Sequence, residues 1–234
     1  MIDWHSHVLP QMDDGSKSIE ETLELLKLLK EQGVNTVMAT PHFYADDEPL
    51  ERFLERRKES YEKLSEALPK DAPNILLGAE LCYYSGVSRL EGLEKLCIEG
   101  TRLLLLEMPF ERWTEHTVRE VRELAAQGSV TVILAHIERY IDMQDSGVFK
   151  NLREYGVITQ VNSSFFVRNA TKRKALKLLA KGEIQLLGSD THNVASRPPT
   201  LDLAYNAIEK KFGKDMLYEI NGYGNFLLER YKKH

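Results

Sequence analysis

"RLLLLEMPFERWTEHTVREVRELAAQGSVTVILAH" occupies residues 102–136. It opens on a short apolar run, 102–107, and closes on a second, 130–136. Neither run alternates apolar with polar residues, so each reads as a strand buried on both faces. Between them, Thr114 to Gly128 follows the helical period and stops at a glycine, a favourable residue just past a helix end. Strand, helix, strand with short connections implies parallel pairing through a right-handed crossover.

The same alternation extends in both directions. Apolar runs recur at 34–40, 75–80, 157–162 and 184–190, and "MIDWH" at the start makes seven in all. Helical patterns lie between them. Ser18 to Gly33 opens with Ser18-x-x-Glu21, a capping box, and Asn169 to Gly182 is a further one. Seven such units predict an α/β fold, a distorted (β/α)7 barrel, with an open doubly wound sheet as the alternative. Residues 200–232 read as two helices without a strand, placed to cover the gap where an eighth strand would lie. No Gly/Ser/Pro-rich linker divides the chain, so residues 1–234 are expected to form a single domain.

Composition narrows the function classes. Hydrophobic residues make up 42% and charged residues 29%, enough to close a core. A net charge of −5 supplies no global field for gripping nucleic acid. The apolar runs are far too short to span a bilayer, and the N-terminus lacks the basic-then-apolar pattern of a signal peptide. Cys82 and Cys97 form no CxxC and no disulfide framework, which points to a reducing, cytoplasmic setting. Cys97 falls on a helix-like stretch and reads as a small apolar filler.

The ends of the apolar runs carry the chemistry. His5 and His7, His42, Glu80, Glu107, His136, Asp190 and His192 all lie at or just beyond such ends. In a parallel barrel those ends share one rim, where active sites are built. Five of the seven histidines fall there, while His116 and His234 look incidental. Residues i and i+2 of a strand face the same side, so His5 with His7, and Asp190 with His192, can each point at one ion. Imidazole with carboxylate suits zinc, iron or manganese, and a load of this size suits two or three ions. Closely spaced ions neutralise a phosphoryl group and lower the pKa of a shared water.

In order along the chain, "HSH", "DDG", "TPHF", "GAE", "AHIERY" and "SDTHN" resemble the motifs of the PHP (polymerase and histidinol phosphatase) superfamily. "MIDWHSH", "AHIERY", "TQVNSS" and "SDTHN…RPP" are similar to its bacterial protein-tyrosine-phosphatase branch, the capsule-type enzymes of Gram-positive bacteria. The match runs from residue 1 to about 200. The resemblance implies three metal ions on the rim, with manganese expected and iron or zinc as alternatives. It assigns His5, His7, Glu80 and Asp190 to one ion, and Glu80, Glu107 and His136 to a second. Asp14, His42 and His192 go to a third, with Asp14 preferred over Asp13. It further implies a hydroxide shared between two ions as nucleophile, and Arg139 and Arg197 as phosphate clamps. Left to themselves, Arg139 could pair with Glu138 and Arg197 could be a surface residue.

No CxxxxxR phosphate loop is present, so neither cysteine reads as a thiolate nucleophile. Asn162, Ser163 and Ser164 end the sixth run and could bind substrate, support ligands or start a turn. Phe43-Tyr44, Tyr83-Tyr84 and Phe165-Phe166 could stack on an aryl ring or simply pack. The expected partner is a phosphotyrosine protein, the tyrosine-rich tail of a bacterial tyrosine kinase controlling exopolysaccharide export. A small-molecule phosphatase, a nucleic-acid-end phosphoesterase and a non-catalytic docking module stay open as other readings.

Overall fold

The computed structural model describes residues 1–145 and 147–232; His234 lies outside them. The strands are β1 (Ile2–Ser6), β2 (Thr36–Ala39), β3 (His42–Phe43), β4 (Asn74–Leu77), β5 (Glu80–Cys82), β6 (Leu103–Glu107), β7 (Thr131–Leu134), β8 (Ile158–Asn162) and β9 (Leu186–Gly188). All ladder pairings are parallel, in the orders β1-β2-β4 and β3-β5-β6-β7-β8-β9. The seven apolar runs correspond to seven staves, because two staves are each broken in the middle. Pro41 lacks an N–H and interrupts the second between β2 and β3. Gly78 marks the break between β4 and β5, and its N–H still bonds Ala39 O at 2.8 Å. The ring closes where Asp190 N–H donates to His5 O (2.8 Å) and His7 N–H to Thr191 O (2.9 Å).

The helices are α1 (Ile19–Glu31), α2 (Leu50–Ser65), α3 (Glu115–Ala126), α4 (Val148–Glu154), α5 (Ser164–Val167), α6 (Asn169–Ala180), α7 (Leu201–Phe212) and α8 (Lys214–Arg230). The three helical patterns of the sequence are α1, α3 and α6. Ser18 caps α1 by accepting from Glu21 N–H, but the Glu21 carboxylate returns to Lys17 N–H, one residue earlier than a capping box requires. Gly33 ends α1 at φ +86°, a conformation that costs glycine nothing. Cys97 is buried as expected, yet it sits in a bend after a short 3₁₀ turn rather than on a helix.

Two cores follow from strand alternation. Val37, Leu104, Leu106, Val132, Leu134 and Leu187 pack outward against the helices. Ile2, Trp4, Met38, Leu103, Leu105, Ile133 and Leu186 meet one another on the opposite face, inside the ring. Leu227 of α8 joins this inner cluster, and Gly224 lies against Trp4. No gap for an eighth strand exists, since β9 runs directly onto β1; α8 therefore covers the inner core from below instead of filling a gap.

A bulge in β1 sets up the chemistry. Asp3 pairs with Val37 and Ser6 with Ala39, so β1 spends one residue more than β2 over that stretch. Ile2 and Trp4 thus face inward below, and His5 and His7 face inward above, which strict alternation would forbid. The fit leaves no room for a side chain at Gly188, where a Cβ would fall 2.5 Å from His5 Cβ and 2.7 Å from Gln160 Nε2. Gly188→Ala is expected to destabilise the fold by about 1–3 kcal/mol through overpacking. Thermal melting of variant and parent checks this, and an unchanged midpoint contradicts it.

Candidate metal centre

Glu80 sits at the middle of the rim. Its carboxylate is fully buried, with Oε2 3.1 Å from His5 Nε2, 3.3 Å from His7 Nε2 and 3.0 Å from His42 Nδ1. Oε1 lies 2.9 Å from His136 Nε2. Register explains the His42 contact, because His42 of β3 pairs directly with Glu80 of β5. Glu107 Oε1 is 3.1 Å from His136 Nε2. Asp190 Oδ1 lies 3.4 Å from His7 Nε2 and 3.7 Å from His5 Nε2. Asp14 Oδ1 is 3.3 Å from His192 Nε2 and 3.7 Å from His42 Nε2.

The structure brings all nine sequence-derived metal candidates into this one cluster, but it divides them less cleanly than the resemblance implied. Donor atoms within 4.8 Å of one another form the sets His5–His7–Asp190, His5–Glu80–His136 and His7–Asp14–His42–His192. His7 joins the third set because its ring lies 4.0 Å from that of His192 and 4.5 Å from that of His42, centre to centre. A fourth set, His42–Cys82–Glu107, includes a residue that the sequence reading did not place at the rim chemistry.

The donors fit divalent cations. Glu80 Oε2, His42 Nδ1 and His192 Nε2 are buried without an aligned hydrogen bond. Buried polar atoms rarely stay unpaired, and a coordinated cation would pair these. Protons otherwise carry the compensating charge. Burial opposes charging His7, yet Asp13, Asp190 and Glu80 carry its pKa well above the ordinary range. His136, also buried, is pushed up to about 9 by Glu107 and Glu80. Glu80 and Asp190 are held well below the usual carboxylate range by the facing histidines, against the effect of burial. Burial and the charge on His7 push His192 down to about 4.

Asp13, Gln160 and Asn162 hold this cluster in place. Asp13 is not turned toward the ions' space. Its Oδ2 lies 2.7 Å from His7 Nδ1 and accepts the His42 N–H at 2.9 Å, while Oδ1 accepts Gly15 N–H at 2.8 Å. This fixes the His7 ring with Nε2 facing inward. Gln160 Oε1 accepts the His136 N–H at 2.7 Å. Asn162 Nδ2 donates to Asp190 Oδ2 at 2.7 Å, so it supports a metal candidate, whereas Ser163 bonds Thr200, the residue before α7. Gly15 packs so tightly that a Cβ would meet His7 O at 2.3 Å. His136 (φ +29°) and Asp190 (φ +52°) take left-handed conformations, uncommon outside glycine though less so for His and Asp, and both lie in the cluster.

Arg139 and Arg197 both reach Asp190 Oδ2, Arg197 Nη2 at 2.7 Å. Arg139 therefore does not pair with Glu138, whose Oε1 accepts the Asn162 N–H instead. Both guanidiniums are about one-third exposed at the lip of the cluster. Of the aromatics considered from sequence, Phe43, Phe165 and Phe166 are core residues and Tyr83 bonds Glu120. Tyr44 stands beside the cluster, its ring 5.3 Å from that of His42. The sequence reading does not mark Phe110, which also stands at the cluster. Its ring is 54% exposed, nearly parallel to His136 at 6.0 Å, and lies beneath Arg139. An aromatic three residues after a strand-end glutamate was the available signal.

Three comparisons bear on this centre. The family model described as capsular polysaccharide synthesis, CpsB/CapC, matches residues 1–225. The chain is 31% identical to tyrosine-protein phosphatase CpsB of Streptococcus pneumoniae, covering 94% of each chain. It is 29% identical to tyrosine-protein phosphatase YwqE of Bacillus subtilis, over 97% of this chain and 91% of the relative. A crystal structure from work on YwqE of B. subtilis and CpsB of S. pneumoniae, described as metal-dependent tyrosine phosphatases, superposes with a TM-score of 0.86. That match has 26% identity and covers 100% of this chain and 96% of the other.

Asp13→Asn should weaken divalent-ion affinity by about 10–100-fold, since it removes the partner that orients His7; titration against a chelator of known affinity measures this. With His136 titrating at about 9, its proton is bound at neutral pH and must leave on ligation. Adding metal to the stripped protein in weakly buffered indicator should acidify the solution. A pH-neutral uptake would contradict that.

Proposed function

The chain belongs to the CpsB/CapC family of capsular polysaccharide synthesis, and on that premise we propose that it is a metal-dependent protein-tyrosine phosphatase. The observation that carries the proposal is Glu80, a fully buried carboxylate within 3.3 Å of four histidines, at the floor of a rim lined by two guanidiniums. His5, His7, Asp14, His42, Glu80, Glu107, His136, Asp190 and His192 are the proposed ligands of three divalent ions. Manganese is proposed because the resemblance to the capsule-type branch implies it; imidazole and carboxylate donors also suit iron and zinc, the other candidates. Bound there, such ions supply positive charge to a phosphoryl group and an acidified water.

The chain's own residues do the rest. A guanidinium has five N–H donors, and Arg139 and Arg197 each give one to Asp190, leaving others for phosphate oxygens. Asp190 Oδ2 anchors both arginines while Oδ1 faces the histidines, so clamp and ion space share one rigid carboxylate. Phe110 and Tyr44 flank the cluster on different sides as half-exposed rings able to line an aryl group. A phenol of pKa about 10 leaves as an anion without a strong general acid.

The proposed substrate is the tyrosine-rich tail of a bacterial tyrosine kinase. Clefts on both sides of the cluster, one beside Asp14 and Tyr44 and one beside Arg139 and Asn162, support it by leaving room for polypeptide flanking the modified tyrosine. No helix among the described residues is long and apolar enough to cross a membrane. A cytoplasmic site of action is proposed from the substrate and from two cysteines outside any disulfide. The chain from residue 1 to 234 is proposed to act as one unit.

The test is hydrolysis by purified, manganese-loaded protein of a phosphotyrosine peptide, a phosphoserine peptide and histidinol phosphate. Activity on phosphotyrosine is expected, with His136→Ala abolishing it. Activity confined to histidinol phosphate would overturn the tyrosine-phosphatase proposal. Arg139→Ala and Arg197→Ala should each lower kcat/KM by about 10²–10³, the range for losing one donor to transition-state charge.

A further inference from the structure

We propose that Cys82, His42 and Glu107 form an overlapping, thiolate-containing site for a softer divalent ion of the zinc class, whose occupation competes with the phosphatase cluster. The competition rests on the function proposed above; the site itself rests on geometry. Glu80 and Cys82 are i and i+2 of β5, so their side chains leave the same face of the strand. Cys82 pairs in register with Glu107 of β6, as His42 of β3 does with Glu80. Three neighbouring staves therefore deliver an imidazole, a thiol and a carboxylate to one spot.

The atoms converge. Cys82 Sγ lies 2.9 Å from Glu107 Oε2, and a ring nitrogen of His42, the sulfur and a Glu107 oxygen all fall within 4.8 Å of one another. A pair of atoms belonging to the main cluster adjoins this set. Glu80, fully buried, has Oε2 without an aligned hydrogen bond, 3.0 Å from His42 Nδ1, which also lacks one. Tyr44 faces the thiol from the rim, and Cys82 is only partly buried, so an ion can reach it.

Donor chemistry sets the preference. Oxygen and nitrogen donors alone accept manganese, whereas a thiolate selects zinc-class ions, which also bind more tightly across most donor sets. On binding, the S–H bond breaks, the proton passes to solvent and a sulfur–metal bond forms, with no change of oxidation state. The bound ion holds His42, which otherwise faces Asp14 and His192, and Glu107, which otherwise faces His136. One ion at the thiol thus withdraws a donor from two of the proposed catalytic positions.

The experiment uses cobalt(II) as a spectroscopic stand-in for zinc, added to chelator-stripped full-length protein. The unaltered chain and Cys97→Ser should show a sulfur-to-cobalt charge-transfer band in the near ultraviolet, and Cys82→Ser should not. On manganese-loaded protein, Cys82→Ser should raise the zinc concentration for half-inhibition at least about tenfold, each protein referred to its own zinc-free rate, as loss of a ligand should cost no less than loss of its outer partner. On the unaltered chain, zinc should also slow alkylation of Cys82 by iodoacetamide, located by peptide mass, which covers the case of a misfolded variant. No band in the unaltered chain, a band surviving in Cys82→Ser, or alkylation indifferent to zinc overturns the site. Equal zinc inhibition with and without the thiol overturns the competition. Absence of phosphotyrosine hydrolysis would remove the proposed function and leave the cobalt and alkylation results to decide the site.

Discussion

A carboxylate with no access to water has to be matched by positive charge, and Glu80 is the place where this fold meets that demand. Four histidines from three different staves close on its two oxygens. Each could carry a proton or share a cation with it, and the raised pKa values of His7 and His136 show the cluster's appetite for positive charge. Charge is thus concentrated inside the ring, at the end of the barrel opposite the apolar floor of Ile2, Trp4 and Leu227.

The backbone geometry serves that convergence. The bulge in β1 lets one strand contribute apolar residues below and imidazoles above on the same face. Asp3, displaced to the outer side, accepts from Ser189 N–H and Oγ–H and so holds β1 to the end of β9. Burial pushes Asp3 up to about 7 despite those bonds, a sign of how dry this seam is. Gly15 and Gly188 are glycines for want of space beside His7 and His5, not for the sake of turns.

Asp190 links the interior to the rim. One oxygen faces His5, His7 and His192, and the other accepts from Arg139, Arg197 and Asn162. Its backbone is left-handed, and its N–H donates to His5 O of β1. Phosphate clamps and ion donors are thereby coupled through a single side chain whose own position is fixed on both sides.

Much of this was legible in the sequence. The parallel α/β architecture follows from unbroken apolar runs alternating with helical periods, because strands buried on both faces cannot tolerate polar alternation. The gathering of His5, His7, His42, Glu80, Glu107, His136, Asp190 and His192 follows as well, because parallel staves put all their C-terminal ends on one rim. What only the tertiary structure decided are the relations across staves. Which set His7 joins, that Asp13 orients His7 rather than facing the ions' space, that Gln160 supports His136, and that Cys82 meets Glu107 all depend on register, on the bulge and on two left-handed residues. Sequence spacing fixes the face of a strand from which a side chain leaves. Distances between strands are set by how the ring closes, and no single stretch of chain contains that information.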